Sequence, residues 1–211
     1  ANLGTRLVHI STDQLFNGTQ EWTGEDDQPT PINVYGETKW LAEQAVTEEC
    51  PEALIIRTNF FAWGTPVRTS FSDWILRGLK QQEKLTMFTD VFFTPLLANQ
   101  LADLVLQLLS KRATGVFHVA GRDRLSKYDF ALRLAEAFGY SKERILPITV
   151  QDFPFKARRP SEMALKTQRA EQELGISMPS VGQGLQRLLE LKKQGWPALL
   201  REAIASPIGE N

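Results

Sequence analysis

A short apolar run, Leu7-Val-His-Ile10, ends abruptly in two hydroxyls and a carboxylate, Ser11-Thr-Asp13. A run of apolar residues without polar alternation is typical of a strand buried on both faces of a parallel sheet. We therefore predict a strand over residues 6–11. Ligands of open parallel sheets bind at the carboxyl ends of the strands. The polar residues that follow this strand are thus candidates for a binding site.

Tyr35 and Lys39 lie four residues apart in a segment, residues 33–46, that we expect to be helical. Side chains at this spacing share one helix face. An ammonium beside a phenol favours the phenolate, which suits a tyrosine that acts as a general acid or base at a carbonyl or alcohol. The same spacing also occurs by chance in many helices. The pair by itself therefore leaves the function open.

Two motifs together resemble the extended short-chain dehydrogenases/reductases. The first is the Ser-Thr-Asp strand end, and the second is Pro31-x-x-x-Tyr-Gly-x-Thr-Lys-x-x-x-Glu43. Within this superfamily the chain is similar to dTDP-4-dehydrorhamnose reductase and to related nucleotide-sugar reductases and epimerases. The resemblance extends along nearly the whole chain, through residues 54–58, 93–95, 115–121, 128–130 and 158–160.

The resemblance implies an α/β fold, the C-terminal part of a doubly wound Rossmann-type parallel sheet plus a small α/β substrate-binding lobe. Residues 1–60 would belong to the NAD(P)-binding domain, and residues 61–211 to a substrate lobe interleaved with returning Rossmann elements. The sequence contains no G-x-G-x-x-G turn, which in such domains holds the dinucleotide pyrophosphate. We therefore expect the chain to be a C-terminal portion that binds a nicotinamide dinucleotide weakly by itself.

The resemblance also implies a chemistry, the NAD(P)-dependent reduction of a 4-keto nucleotide sugar by hydride transfer. Thr12, Tyr35 and Lys39 would form the catalytic set. Tyr35 would protonate the new alkoxide, and Thr12 would hydrogen-bond the carbonyl. Tyr35, Lys39, Thr58 and Asn59 would bind the cofactor, NADP or NAD.

Asp13, Phe60 and Arg159 match substrate-binding positions of these reductases. Two features depart from the family pattern. Phe60 stands where the rhamnose-pathway reductases usually carry tryptophan, and residues 90–95, Asp-Val-Phe-Phe-Thr-Pro, replace a more polar segment. A phenyl ring keeps an aromatic wall but lacks the indole N–H donor. The identity of the sugar therefore stays open.

Two alternatives to a reductase remain. One is a nucleotide-sugar epimerase or dehydratase, although a dehydratase would be expected to carry an acidic pair where this chain has Asp13-Gln14. The other is a reductase-like fold that serves as a non-catalytic regulatory subunit. Fold alone does not separate these functions. The tyrosine–lysine pair favours an enzyme, since a binding subunit has no need for it.

Composition excludes several classes of partner. A net charge of −1 gives no reason to expect nucleic acid, and no run approaches the roughly 18 apolar residues that span a bilayer. A single cysteine, Cys50, excludes an internal disulfide and fits a reducing cytoplasm. His9 and His118 lie on predicted strands far apart in the sequence, which argues for core residues rather than a zinc site.

Charge is unevenly distributed along the chain. Residues 1–60 contain ten acidic and three basic residues, whereas the remainder is net positive. A nucleotide diphosphate would find compensating charge near Lys156, Arg158 and Arg159. A solvated basic surface explains the same pattern.

The resemblance further suggests a homodimer formed through the Tyr35 helix and its neighbour.

Periodicity predicts the remaining elements. The helix of Tyr35 is expected over residues 33–49 with Leu41, Ala42, Ala45 and Val46 facing inward, and a strand over 54–58. Short extended segments are predicted at residues 86–88 and 91–93, and helices at 69–82, 97–110, 126–139, 161–174, 185–193 and 198–205.

Overall fold

The computed structural model describes residues 5–65, 67–155 and 157–205, so that residues 1–4, Pro66, Lys156 and 206–211 lie outside the described part. The elements follow in the order β1 (Val8–Ile10), α1 (Val34–Glu49), β2 (Leu54–Arg57), β3 (Phe60–Phe61), α2 (Phe71–Lys80), β4 (Leu85–Phe88), β5 (Phe92–Phe93), β6 (Leu96–Leu97), α3 (Ala98–Ser110), β7 (Gly115–His118), β8 (Leu125–Ser126), α4 (Lys127–Ala137), β9 (Ile145–Ile148), β10 (Glu162–Met163), α5 (Gln168–Leu174), α6 (Val181–Lys193) and α7 (Trp196–Ala205). A 3-10 turn covers Val150–Asp152.

A parallel sheet of order β1-β2-β7 forms the first part of the fold. All four residues of β2 are buried, because both of its neighbours are strands and its faces are covered. Leu101, Leu104 and Leu108 of α3 pack in the same core cluster as Leu54 and Ile56 of β2. Among the described residues β1 has a strand neighbour on one side alone, and Ile10 is 40% exposed, so the prediction that this strand is buried on both faces was wrong.

The second part consists of short strand pairs with helices packed around them. β4 pairs with β9 in parallel, β3 pairs with β6, and β5 lies between β10 and β8. Phe130 of α4 is fully buried at the centre of this part. Its ring lies 5.2 Å from the ring of Phe61 and 5.5 Å from that of Phe93, both in edge-to-face geometry. Aromatic pairs at this separation stabilise a core beyond the area they bury.

Helix α1 packs against the sheet through a face that periodicity did not predict. Leu41 is 57% exposed, and the residues of the helix that are buried are Gly36 and Glu43. Of the four residues predicted to face inward, Leu41 and Ala45 are exposed whereas Ala42 and Val46 are partly buried, so the prediction of an inward apolar stripe was wrong for two of its four positions. It failed because Glu43 is held inside by Arg57 of β2, with their charged atoms 2.9 Å apart. A paired carboxylate can be buried where an isolated one cannot.

The predicted helix over residues 161–174 was wrong in its first half. Glu162 and Met163 form β10, and the helix begins only at Gln168. The extended start is held by Phe92, whose N–H donates to the carbonyl of Ser161 at 2.7 Å. The other predicted helices are present with shifted ends. The largest shift is in α6, which begins at Val181 after a capping box formed by Ser180.

Candidate active site

The carboxyl ends of β1 and β2 bring two polar segments together. The N–H of Ser11 donates to the carbonyl of Ile56 at 2.7 Å, and that of Asp13 to the carbonyl of Thr58 at 3.2 Å. The two strands therefore stay aligned as they leave the sheet. Asn59 follows β2 and donates from its Nδ2 to Oδ2 of Asp13 at 2.7 Å. The polar site predicted at this end of the sheet is thus formed by residues of two neighbouring strands.

Thr12 and Asp13 are both buried at this edge. The Thr12 hydroxyl donates to Oδ1 of Asp13 at 3.2 Å and accepts from the N–H of Gln14 at 3.2 Å. Burial raises the pKa of Asp13, opposed by the nearby Lys127 charge and by the hydrogen bonds from Asn59 and Thr12. The carboxyl group is consequently held in place by several donors in a poorly hydrated environment.

Tyr35 and Lys39 lie in the first turns of α1, which is capped by the Asn33 side chain accepting from the Gly36 N–H. The Lys39 ammonium donates to the carbonyl of Ile10, the last residue of β1, at 2.8 Å. Tyr35 is 51% exposed, and no hydrogen bond joins its hydroxyl to Thr12 in the described residues. A shared cleft for Tyr35, Lys39 and Thr12 stays a prediction.

Gly36 allows the start of α1 to approach the strand-end loop. A Cβ at this position would collide with the backbone carbonyl of Gln14 and lie 3.0 Å from the Cβ of Pro31. Contact at this distance is tighter than side chains tolerate, so the close approach requires glycine. The glycine of the tyrosine motif therefore has a packing function that places Tyr35 beside the Thr12–Gln14 loop.

A cavity of about 430 Å³ opens beside Asp13 and Asn59. Five aromatic side chains line it, namely Phe71, Trp74, Phe88, Phe153 and Phe155. Its charged side chains are Asp13, Lys127 and Arg159. The volume and the mixture of apolar walls with a few polar groups are typical of a small-molecule site.

Three of the residues predicted from the sequence, Asp13, Asn59 and Arg159, line this cavity. The guanidinium of Arg159 lies 5.1 Å from the centre of the Phe155 ring. Phe60, predicted to contact the substrate, lies in β3 with 55% of its surface exposed and does not line the cavity. Lys156 lies outside the described residues.

Thr58 is buried at the end of β2, directly before Asn59. Its backbone carbonyl holds Asp13, as described above, so Thr58 supports the site through its main chain. The assignment of Thr58 and Asn59 to a cofactor stays a prediction.

Sequence reasoning missed Lys127, the first residue of α4. Its ammonium lies 3.1 Å from the centre of the Phe93 ring and 5.2 Å from that of Phe71. Burial lowers the pKa of Lys127 to about 7, opposed by Asp13 and reinforced by the Arg159 charge. A lysine at a helix N-terminus also opposes the helix dipole. This unfavourable placement, just after the helix cap Ser126, was the signal available in the sequence.

His118 is fully buried in β7, as predicted for a core residue. Neither of its ring nitrogens has a hydrogen-bond partner among the described residues, and burial with the Arg57 charge lowers its pKa to about 3.

In the described part of the chain, no group of three or more His, Cys, Asp or Glu has the arrangement of a metal site. In the same part, no helix has the length and apolar character needed to cross a membrane.

The chain is similar in sequence and in fold to known proteins. The chain is 34% identical over 187 residues to the probable low-salt glycan biosynthesis reductase Agl14 of Haloferax volcanii, covering 86% of this chain and 62% of that protein. It is 31% identical over 201 residues to dTDP-4-dehydrorhamnose reductase of Escherichia coli, covering 89% and 66%. It is also 28% identical over 188 residues to methionine adenosyltransferase 2 subunit beta of Danio rerio, covering 84% and 57%. The chain thus spans less than two thirds of each of these relatives.

A crystal structure of dTDP-4-dehydrorhamnose reductase from Bacillus anthracis in complex with NADP superposes with a TM-score of 0.82 at 27% identity. The alignment covers 89% of this chain and 66% of that one. The predicted Rossmann-type α/β class and the resemblance to nucleotide-sugar reductases are thereby confirmed. A family model described as the RmlD substrate binding domain matches residues 1–193. The chain therefore belongs to the RmlD substrate binding domain family, within the extended short-chain dehydrogenases/reductases.

Proposed function

We propose that the protein containing this chain reduces the 4-keto group of a nucleotide sugar with NADPH or NADH. The observation that carries the proposal is the cavity at the strand ends, which Asp13 and Asn59 line together with five aromatic side chains and two cations. The aromatic rings suit a planar base, and the cations Lys127 and Arg159 suit an anionic, oxygen-rich ligand. The Bacillus anthracis neighbour, a dTDP-4-dehydrorhamnose reductase bound to NADP, supports NADPH as the reductant.

The residues at the end of β1 fit the nicotinamide end of a dinucleotide. The Ser11 hydroxyl is buried without a hydrogen-bond partner in the described residues. The Lys39 ammonium has three donors, of which one is used by the Ile10 carbonyl. Lys39 and Tyr35 would hold the ribose and ring, with Thr58 and Asn59 beside them. When bound, the reduced nicotinamide supplies a hydride.

The protein's own contribution is to position the sugar and to supply a proton. As the C4 carbon gains a hydride, the carbonyl oxygen becomes an alkoxide, and the Tyr35 phenol donates its proton to that oxygen to complete the hydroxyl. The Thr12 hydroxyl is held by Asp13 over 3.2 Å, a long bond that a substrate carbonyl can replace.

The experiment that tests the proposal compares wild-type protein with Tyr35→Phe. Consumption of NADPH is followed with dTDP-4-dehydrorhamnose as substrate. Removal of the proton donor is expected to lower turnover about 10²- to 10⁴-fold, while binding of dTDP is retained because the ring remains. Tyr140→Phe, a tyrosine in a different groove of the structure, serves as the matched control. An unchanged kcat in Tyr35→Phe would remove Tyr35 from the catalytic set.

A regulatory subunit is the second candidate function, because methionine adenosyltransferase 2 subunit beta of Danio rerio is a relative. This function requires that the protein binds a nucleotide ligand but consumes no NADPH with any 4-keto sugar nucleotide. Product analysis in the same assay separates a reductase from an epimerase or dehydratase. Only the reductase consumes one NADPH for each sugar converted.

A homodimer formed through α1 belongs to the same proposal. Val34 and Leu41, seven residues apart on one face of α1, are 74% and 57% exposed. An apolar helix face of this kind suits an interface between copies. Sedimentation of wild-type protein and of Leu41→Glu tests it. A monomeric wild type would refute the dimer.

A further inference from the structure

The polar end of the cavity contains hydrogen-bonding groups that no described residue satisfies. The Lys127 ammonium contacts the Phe93 and Phe71 rings but makes no hydrogen bond or ion pair within the described part of the chain. The carbonyl oxygen of the Asn59 side chain is buried and equally without a partner there. The Lys127 donors and the Asn59 acceptor are thus without partners among the described residues, and a buried acceptor such as the Asn59 oxygen is costly unless a ligand satisfies it.

The orientation of the Asn59 amide follows from its neighbour. Both carboxyl oxygens of Asp13 accept hydrogen bonds, Oδ1 from the Thr12 hydroxyl and Oδ2 from the Asn59 amide, so the amide presents its NH₂ to Asp13. The Nδ2 to Oδ2 distance of 2.7 Å agrees with this orientation. The amide oxygen is therefore left as an acceptor for another group.

The backbone fixes the start of the Lys127 side chain, which lines the same cavity as Asn59. Its N–H donates to the carbonyl of Val91 at 2.9 Å, directly before β5. Ser126 caps the helix and accepts from the Asp129 N–H at 3.0 Å. The start of the Lys127 side chain is consequently held, and the Phe93 ring limits where its ammonium can lie.

We propose that Lys127 and Asn59 together bind a hydroxyl group of the sugar ring in the ligand, with Lys127 donating to its oxygen and Asn59 accepting its proton. A hydroxyl is both an acceptor and a donor, so it satisfies the two groups at once. This inference rests on the proposed function and names two residues that determine recognition of the sugar.

A phosphate group fits this end of the cavity less well. Phosphate oxygens only accept hydrogen bonds, so they leave the Asn59 oxygen unsatisfied, and the Asp13 carboxylate repels them. Arg159, stacked over Phe155, is the cation better suited to a phosphate. Lys127 is thereby assigned to the sugar and Arg159 to the diphosphate.

The arrangement makes binding depend on pH. The charged side chains that face Lys127 are Asp13 from the β1 end and Arg159 from the segment before β10, and the pKa of Lys127 is lowered to about 7. Donation by the ammonium is strongest when it is charged, so affinity is expected to fall as pH rises through this value. An arginine at position 127 would stay charged and remove this dependence.

The test measures binding of dTDP-rhamnose and of dTDP to the 211-residue chain by titration calorimetry, at about pH 6 and about pH 9 on either side of the Lys127 pKa. At the lower pH, Lys127→Met is expected to weaken the binding of dTDP-rhamnose about 10- to 100-fold, as for loss of a charge-assisted hydrogen bond. Its affinity for dTDP should stay within about twofold of the wild-type value. Retained dTDP binding also shows that the variant is folded. Lys111→Met, an exposed lysine after α3, is the matched control.

Lys127→Arg provides a second measurement. Wild-type affinity for dTDP-rhamnose is expected to fall at the higher pH, whereas that of Lys127→Arg stays constant. If Lys127→Met lowers the affinity for dTDP-rhamnose and for dTDP equally, and the affinity of Lys127→Arg depends on pH as that of the wild type does, Lys127 does not bind the sugar. Unchanged affinities in Lys127→Met overturn the inference directly. If wild-type protein binds neither ligand, the proposed function itself fails.

Discussion

Replacement of Glu43 by leucine would leave the Arg57 guanidinium buried without its carboxylate partner. In the wild type, Nε and Nη2 of Arg57 donate to the Glu43 carboxylate over 2.9–3.2 Å, and the two side chains are 3% and 2% exposed. The remaining contacts of Arg57 are a 3.4 Å bond to the Glu25 carbonyl and the rings of Phe16 and Trp40 at 5.6 and 6.0 Å. These contacts are too long to replace a carboxylate.

The expected cost of Glu43→Leu is about 3–5 kcal/mol, the range measured when one member of a buried pair is removed. This is a large fraction of the 5–15 kcal/mol that stabilises a typical domain. Urea denaturation followed by circular dichroism gives the free energy of unfolding. Glu48→Leu, an exposed glutamate on the same helix, is the matched control and should change it by no more than about 0.5 kcal/mol.

The double variant Glu43→Leu/Arg57→Met distinguishes the cause. If the cost arises from an uncompensated charge, removal of both charges should recover most of the stability. A Glu43→Leu variant that loses less than about 1 kcal/mol would refute the reasoning, because Arg57 would then have another counter-charge or access to water. A double variant as unstable as the sum of the single variants would show that packing, not charge, is what Glu43 contributes.

Two further predictions concern stability. Burial lowers the pKa of His118 from 6.5 to about 3, so the unfolded chain takes up a proton at a higher pH than the folded protein does. The free energy of unfolding is therefore expected to decline as pH falls below 6.5, by up to about 1.4 kcal/mol per pH unit. His118→Leu should remove this decline, which denaturant titration at several pH values measures. Equal pH slopes in both proteins would contradict this. Gly36→Ala is expected to destabilise the protein by about 1–3 kcal/mol, because the new Cβ meets the Gln14 carbonyl. Gly182→Ala, whose Cβ would have its nearest neighbouring atom at 3.8 Å, is the control and should change the melting temperature little. Similar melting temperatures for the two variants would show that α1 can shift without cost.

Local sequence predicted the strand end and the helix that follows it. The apolar run correctly predicted a strand, which the structure has at Val8–Ile10. Its predicted burial on both faces was wrong, because in the described residues β1 lies at the edge of its sheet, and Leu7 and Ile10 are 42% and 40% exposed. The motif from Pro31 to Glu43 likewise predicted α1, whose cap, Asn33, satisfies N–H groups within its own turn. These features depend on neighbours in the chain, and the structure has them within a few residues of the predicted bounds.

Features that depend on distant partners were predicted poorly. The outward position of Leu41 follows from the ion pair between Glu43 and Arg57, and periodicity contains no information about such a pairing. The extended backbone at Glu162 follows from pairing with Phe92 in β5. In both cases a tertiary contact outweighed the local preference, which contributes only a few tenths of a kcal/mol per residue.

The candidate site divides in the same way. The sequence by itself determined that hydroxyls and a carboxylate end β1, and it identified Asp13, Asn59 and Arg159 as candidates through a family resemblance. Only the tertiary structure decided that Lys127 joins them, because β5 lies between β8 and β10 and so carries the start of α4 to the cavity. The proximity of charges from separate segments, and the desolvation that shifts their pKa values, exist only after the chain has folded and excluded water from the space between them.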